Sequence, residues 1–198
     1  MTSIQNDETR DLILRAATKR ILHYGYAKTT IAEIARECDM SAGNIYRFFN
    51  SKLDIAEAMA RRYMETVFQE YGDIARDTSR PAMERLHNIF SSELHRGHDM
   101  ASRETKTLEI ARVMADNRPH VAVEQVAQAR VHIETILSQG LAAGEFTLNM
   151  PIPEVASALQ TAMYKFLSPE SLGHTPLAQL EEQLEAVFKL ISNGLTCK

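Results

Sequence analysis

Apolar residues recur along the chain at spacings of three and four, and no stretch alternates strictly over a strand's length. The pattern predicts an all-α protein of about nine helices with short connections. The first is expected over about Thr9–Tyr24, where Ile13, Ala17, Ile21 and Tyr24 share a face and Gly25 suits the position just past the end. Two short helices follow within residues 27–52, then a long one from Lys52 to about Asp73. Pro81 opens a helix carrying Met83, Leu86, Ile89, Phe90 and Leu94 to an expected stop near Gly97, and another is expected over about Ser102–Ala115. A long helix from Pro119 to about Ala143 carries Val123, Val126, Ile133, Ile136 and Leu137, closed by Gly144. The last pair spans about 153–167 and 176–194, separated by a loop at 168–175.

The densest local signals lie between Ala27 and Lys52. Thr30-Ile31-Ala32-Glu33 is a capping box, in which hydroxyl and carboxylate each satisfy an orphan amide of the first turn. Ser41 is placed to cap a helix over Ala42–Phe48, and Ser51-Lys52-Leu53-Asp54 reads as a second box. Between them, Asp39 falls where the turn needs a residue tolerant of a left-handed backbone. Three caps around a four-residue turn describe a helix-turn-helix unit, whose second helix enters the DNA major groove. Ile34, Ala35, Met40, Ile45 and Phe49 are expected in its core. That leaves Ala42, Gly43, Asn44, Tyr46 and Arg47 for the groove. Asn44 suits adenine, and Arg47 suits guanine or a phosphate. Thr30 and Ser41 are read first as caps, with phosphate contact additional.

The run Gly25-Tyr26, Thr29-Thr30-Ile31, Ile34-Ala35, Ser41-x-Gly43-x-Ile45-Tyr46-x-Phe48-Phe49-x-Ser51-Lys52 resembles the DNA-binding domain of the TetR family of transcriptional regulators, over roughly residues 10–60. Asp39 stands where the family commonly has Gly, and Phe48 where it often has His. The resemblance implies phosphate contacts from Tyr46, Thr30 and Lys52, a DNA-binding domain at 1–52 and a ligand-binding and dimerisation domain at 53–198. The last two helices would pair with those of an identical subunit through Val155, Leu159, Met163, Phe166, Leu180, Leu184, Val187, Phe188 and Ile191. A cavity among the middle helices would take a largely apolar small molecule. Its candidate lining is Met64, Phe68, Phe90, Leu94 and Leu108, with His87, Arg112 and Gln125 to orient the ligand; simple core packing is the competing reading for most of these.

Charge alters the picture only locally. The net charge is −4, yet residues 1–62 hold ten Lys and Arg against eight Asp and Glu, while the remainder is acidic. Binding to DNA needs a local basic patch rather than a basic protein. Hydrophobic residues at 44% and charged residues at 24% are ordinary for a globular chain. No apolar run reaches the ~18 residues of a membrane span, and the N-terminus has no apolar signal core, so a cytoplasmic protein without membrane contact is expected. Cys38 and Cys197 form no disulfide framework; Cys38 is read as packing, with redox sensitivity of DNA binding the alternative. His95-x-x-His98 lacks a third ligand at a defined distance, so no metal or cofactor is expected. Phosphate loops, nucleophile elbows and paired acid–base groups are absent, which speaks against an enzyme.

The expectation is a homodimeric repressor released from a palindromic operator by a small molecule. The alternatives are an activator, a regulator answering to a protein partner, or an all-α enzyme or scaffold in which the helix-turn-helix only packs.

Overall fold

The computed structural model describes residues 3–102, 105–172 and 175–196. They form helices α1 (Ser3–Tyr24), α2 (Ile31–Glu37), α3 (Ala42–Ile45), α4 (Lys52–Arg76), α5 (Ala82–Ser102), α6 (Thr105–Asn117), α7 (Pro119–Ala142), α8 (Ile152–Ala162), α9 (Tyr164–Leu167), α10 (Pro169–Leu172) and α11 (Leu177–Thr196), with no strand among the described residues. Cys197 and the Gly173–His174 part of the expected loop lie outside them.

The chain packs as two compact units, Met1–Glu65 with Thr105–Ala122, and Thr66–Glu104 with Val123–Lys198. In the first, α1 contributes Ile13, Leu14, Ala17 and Ile21 to a core completed by Ile34, Ala35, Ile45, Phe49, Ile55 and Ala56. Ile110 and Met114 of α6 and Val121 of the first turn of α7 belong to this same core. The unit therefore draws on residues far beyond Lys52. Arg118 joins it covalently distant parts by pairing with Asp54 at 2.9 Å and Glu57 at 3.3 Å.

The second unit buries Val67 and Tyr71 of α4, Leu86, Phe90 and Leu94 of α5, Ile133, Ile136 and Leu137 of α7, and Leu180, Leu184 and Phe188 of α11. Arg85, 2% exposed, donates to the carbonyl of Ala75 at 2.9 Å and to the Gln139 side chain. A cation there satisfies an orphan carbonyl in the last turn of α4, where the helix dipole is negative.

Outside the α2–α3 region, three boundaries differ markedly from the sequence reading. Helix α1 begins at Ser3, ahead of the expected Thr9, and Thr9 donates back to the Gln5 carbonyl at 2.8 Å inside it. Gly97 does not stop α5. It is buried in the helix, where a Cβ would lie 2.8 Å from Leu172 Cδ1, so its role is close packing. The helix expected over 153–167 breaks at Met163, and residues 169–172 of the expected loop are helical. Tyr24 is also not a core residue: it is 48% exposed, with Arg20 over its ring at 4.8 Å, and Leu14 is buried in its place. Val123 and Val126 are likewise exposed, at 69% and 48%.

Helix α7 ends in a Schellman motif: Gly144, with φ +74°, donates to Leu141 O at 3.1 Å and Glu145 N to Gly140 O at 2.9 Å. Glu145 then accepts from Ala82 N at 2.7 Å, capping α5. A Cβ on Gly140 would come 2.5 Å from Phe146 Cε2 and 2.8 Å from Ala82 Cβ. Replacing Gly140 by Ala is expected to lower stability by about 2 kcal/mol despite alanine's better helix propensity, because both neighbours are packed atoms with nowhere to move. Chemical denaturation of the variant checks this.

Candidate nucleic-acid interface

The α2–α3 turn is a second Schellman motif, with Asp39 N bonded to Arg36 O at 3.3 Å and Met40 N to Ala35 O at 2.9 Å. Asp39 occupies the left-handed position, φ 53°, where glycine is usual. Its side chain is exposed, so substitution there tests the backbone alone. Asp39→Gly is expected to be neutral or slightly stabilising. Asp39→Val is expected to lose about 1–3 kcal/mol by thermal or chemical unfolding, because a β-branched residue strains in this conformation.

Thr30 completes its capping box: its hydroxyl accepts from Glu33 N at 3.3 Å, and its own amide donates to Glu33 Oε2 at 2.9 Å. That bond from the Thr30 backbone is the main reason the Glu33 carboxyl sits below its ordinary range. Arg20 of α1 pairs with Glu33 at 2.7 Å and Glu37 at 3.3 Å, drawing the acidic side chains of α2 towards α1. Ser41 caps α3 by accepting from Asn44 N at 3.2 Å. The second predicted box is only half formed. Ser51 accepts from Asp54 N at 3.1 Å, but the Asp54 carboxylate goes to Arg118.

Helix α3 is shorter than the expected Ala42–Phe48. After Ile45 the chain tightens into three-residue turns, with Arg47 N bonded to Asn44 O at 3.2 Å and Phe48 N to Ile45 O at 2.9 Å. Ile45 and Phe49 anchor this segment in the core, at 0% and 3% exposure. Ser41, Gly43, Tyr46 and Arg47 are exposed, and Ala42 and Asn44 half-buried. Arg47 Nη1 lies 3.4 Å from Asn44 Oδ1, so the two expected base-reading side chains meet.

Lys52 is more constrained than a free phosphate ligand. Its ammonium donates to Tyr26 O at 2.8 Å and Thr29 O at 2.9 Å and sits 4.2 Å from the Tyr26 ring centroid. A third N–H remains for an anion. The sequence reading passed over Lys28 and Arg36. Both are exposed, and neither has an acidic partner among the described residues. Arg36 follows Glu33 by three positions, so a pair between them is the natural expectation. Glu33 instead bonds Thr30 and Arg20.

In the second unit the expected pocket residues do not converge on one described cavity. Phe68 stacks on His132 at 6.3 Å, and Phe90 and Leu94 are core. His87 contacts Glu185 and the Phe188 ring, 5.0 Å away, so it faces α11; Gln125 is half-buried. Met64, Leu108 and Arg112 fall in the first unit, with Arg112 exposed. Burial and the nearby Arg76 charge push His132 below its ordinary range. His95 contacts Ser91 O and Glu181 rather than His98, and no group of three potential metal ligands occurs among the described residues.

Of the expected interface residues, Val155, Leu159, Met163, Phe166, Leu180, Leu184 and Phe188 are buried within the single chain, and Val187 and Ile191 half-buried. Most of that apolar stripe packs its own subunit. What faces outward is Tyr164 at 67% and Leu190 at 72%, with Met150 at 44%. An apolar groove of about 270 Å³ is lined by Met150, Val155, Ala158, Leu159, Ala162, Ile191 and Gly194, among others.

A capped short helix that carries Asn44, followed at once by the exposed Tyr46 and Arg47 and seated on a core shared with α1 and α4, defines a helix-turn-helix DNA reader. The chain belongs to the tetR family of bacterial regulatory proteins: the profile of that description matches residues 13–59, and one described as the tetracyclin repressor-like C-terminal domain matches 82–188. The transcriptional repressor KstR2 of Mycobacterium tuberculosis is 25% identical over 149 residues, 75% of this chain and 74% of that protein. The regulator HbdR of Aromatoleum sp. is 34% identical over 85 residues, 43% of this chain but 37% of that one. Among solved structures, a TetR-family regulator of Pectobacterium atrosepticum aligns with TM-score 0.76 at 20% identity, covering 100% and 99% of the two chains. FadR of Thermus thermophilus, in complex with lauroyl-CoA, aligns with TM-score 0.67 at 20% identity, covering 96% of each. The protein is a DNA-binding transcriptional regulator, and no described helix is long and apolar enough to cross a membrane.

Proposed function

We propose that the chain is a cytoplasmic, homodimeric repressor that reads a palindromic operator and is released by a small molecule held in the C-terminal part, residues 53–198. The observation that carries this reading is the outward face of α3. Asn44 stands there half-buried, with the exposed Tyr46 and Arg47 in the turn that follows, and Lys28 and Arg36 have no acidic partner among the described residues to compete with phosphate. Asn44 and Arg47 address base edges, with Ala42 and Gly43 allowing close approach. Thr30, Ser41, Tyr46, Lys28, Arg36 and the remaining donor of Lys52 address the backbone. One such unit reads a short half-site, and two-fold pairing places two units about 34–36 Å apart on one face of the duplex. The exposed faces of α8, α9 and α11, with Tyr164 and Leu190, supply the surface for a second copy.

The relatives' names supply the effector classes: FadR was solved with lauroyl-CoA, RolR with resorcinol, and KstR2 is a ketosteroid regulator. A repressor that moves from 99% bound to 99% released needs an effector favouring the released state by about 5.5 kcal/mol. The test is operator affinity with and without acyl-CoAs, phenols and steroids. A compound that weakens binding at least tenfold supports the reading. Weakening by none, together with reporter activity that falls when the gene is deleted, favours the activator instead.

A further inference from the structure

The loop between α1 and α2 is held from two sides. Lys52, at the start of α4, takes its acceptors, Tyr26 O and Thr29 O, while the Thr29 hydroxyl donates to Gly25 O at 2.9 Å. Its outward donor, the Ala27 N–H, goes to Glu109 Oε1 of α6 at 2.9 Å, across 82 residues of sequence. The approach is close. Gly25 has φ +95°, and a Cβ there would lie 2.8 Å from Glu109 Oε2 and 3.2 Å from Lys106 Nζ. Three residues after Ala27, Thr30 caps α2, so the loop sets where α2 starts and, through the rigid α2–α3 turn, where α3 points.

We propose that Glu109 is a positioning residue for operator binding: its carboxylate fixes the Ala27 amide, and through it the placement of α2 and α3. This rests on the reading of α3 as the operator-contacting helix. It extends that reading by naming a residue outside the motif, 82 positions along the chain, that holds the motif's leading loop in place. The physical basis is that a charge-assisted bond to a backbone amide is stronger than a neutral one, and that a small misplacement of a reading element is amplified over every contact it makes.

The experiment uses full-length protein and the duplex that wild type selects from random DNA. Glu109→Ala is expected to bind at least tenfold more weakly at a temperature where it is fully folded, with an unchanged salt slope because no phosphate contact is removed. Glu109→Gln retains an acceptor for Ala27 and is expected within threefold of wild type. Amide exchange at Ala27 is expected to quicken in Glu109→Ala alone, a readout that a general loss of stability does not confine to one site. Should Glu109→Ala fail to fold, Glu109→Asp, which withdraws the carboxylate by one methylene, carries the same expectation. Binding by a folded Glu109→Ala within twofold of wild type overturns the proposal, as does Glu109→Gln falling as far as Glu109→Ala. A wild type that selects no duplex overturns instead the DNA-reading assignment on which it rests.

Discussion

A fragment of residues 1–65, although it contains every helix of the DNA-reading motif, is expected to be unfolded in isolation. It lacks Ile110, Met114 and Val121, which are 7%, 6% and 2% exposed in the core of the first unit. Burial of each such side chain contributes about 1.5–3 kcal/mol, so the three together are worth about 5–9 kcal/mol. That is comparable to the whole stability of a typical small domain, about 5–15 kcal/mol. The fragment also loses the Arg118 pairs with Asp54 and Glu57 and the Glu109 bond to Ala27, leaving α1 and α4 with an open apolar face. Far-UV circular dichroism and a denaturation curve decide the point. A cooperative transition matching the intact protein would mean that α6 only rests on a unit already complete.

Removing the Asn44 amide by Asn44→Ala is expected to weaken operator binding by about 2–6 kcal/mol. One bidentate base contact discriminates by about 1–3 kcal/mol, and a symmetric dimer makes it twice. The loss is expected at one base position per half-site, with affinity for nonspecific DNA and the salt slope intact. The neighbouring Arg47, within 3.4 Å of Asn44 Oδ1, makes the pair non-additive, so the double variant should lose less than the sum of the single losses. Lys28→Ala and Arg36→Ala behave oppositely: they weaken all sequences alike and reduce the salt slope by about one for each half-site contact. Titrations of each variant against operator and scrambled duplex at several salt concentrations separate the two patterns.

The motif was legible in the sequence because its determinants are local. Capping at Thr30 and Ser41, the left-handed Asp39 and the buried Ile34, Ala35, Ile45 and Phe49 each follow from residues within four positions of one another. Readings that failed depended on partners distant in the chain. Gly97 looks like a helix stop until Leu172 is brought against it, and Asp54 looks like a capping carboxylate until Arg118 arrives. An apolar stripe reads alike whether it faces its own core or a second subunit, so the sequence does not reveal that Leu180, Leu184 and Phe188 are buried within the single chain. The share of α6 in the DNA-reading unit had no local signal, because a carboxylate on a helix surface is ordinary until it lies 2.9 Å from a loop amide. Arg36 was hidden for the converse reason: its apparent partner Glu33 is held by Thr30 and Arg20.

The central claim is that α3, presented twice by a symmetric dimer, reads a defined DNA sequence. Selection of random duplexes on the purified protein, with the enriched duplex titrated across salt concentrations, tests it most directly. The account predicts a palindromic winner whose half-sites lie one helical turn, about 34–36 Å, apart and whose affinity falls steeply with salt. An enriched sequence without two-fold symmetry would contradict the dimeric reader, and no enrichment at any salt concentration would contradict the reading of α3 itself.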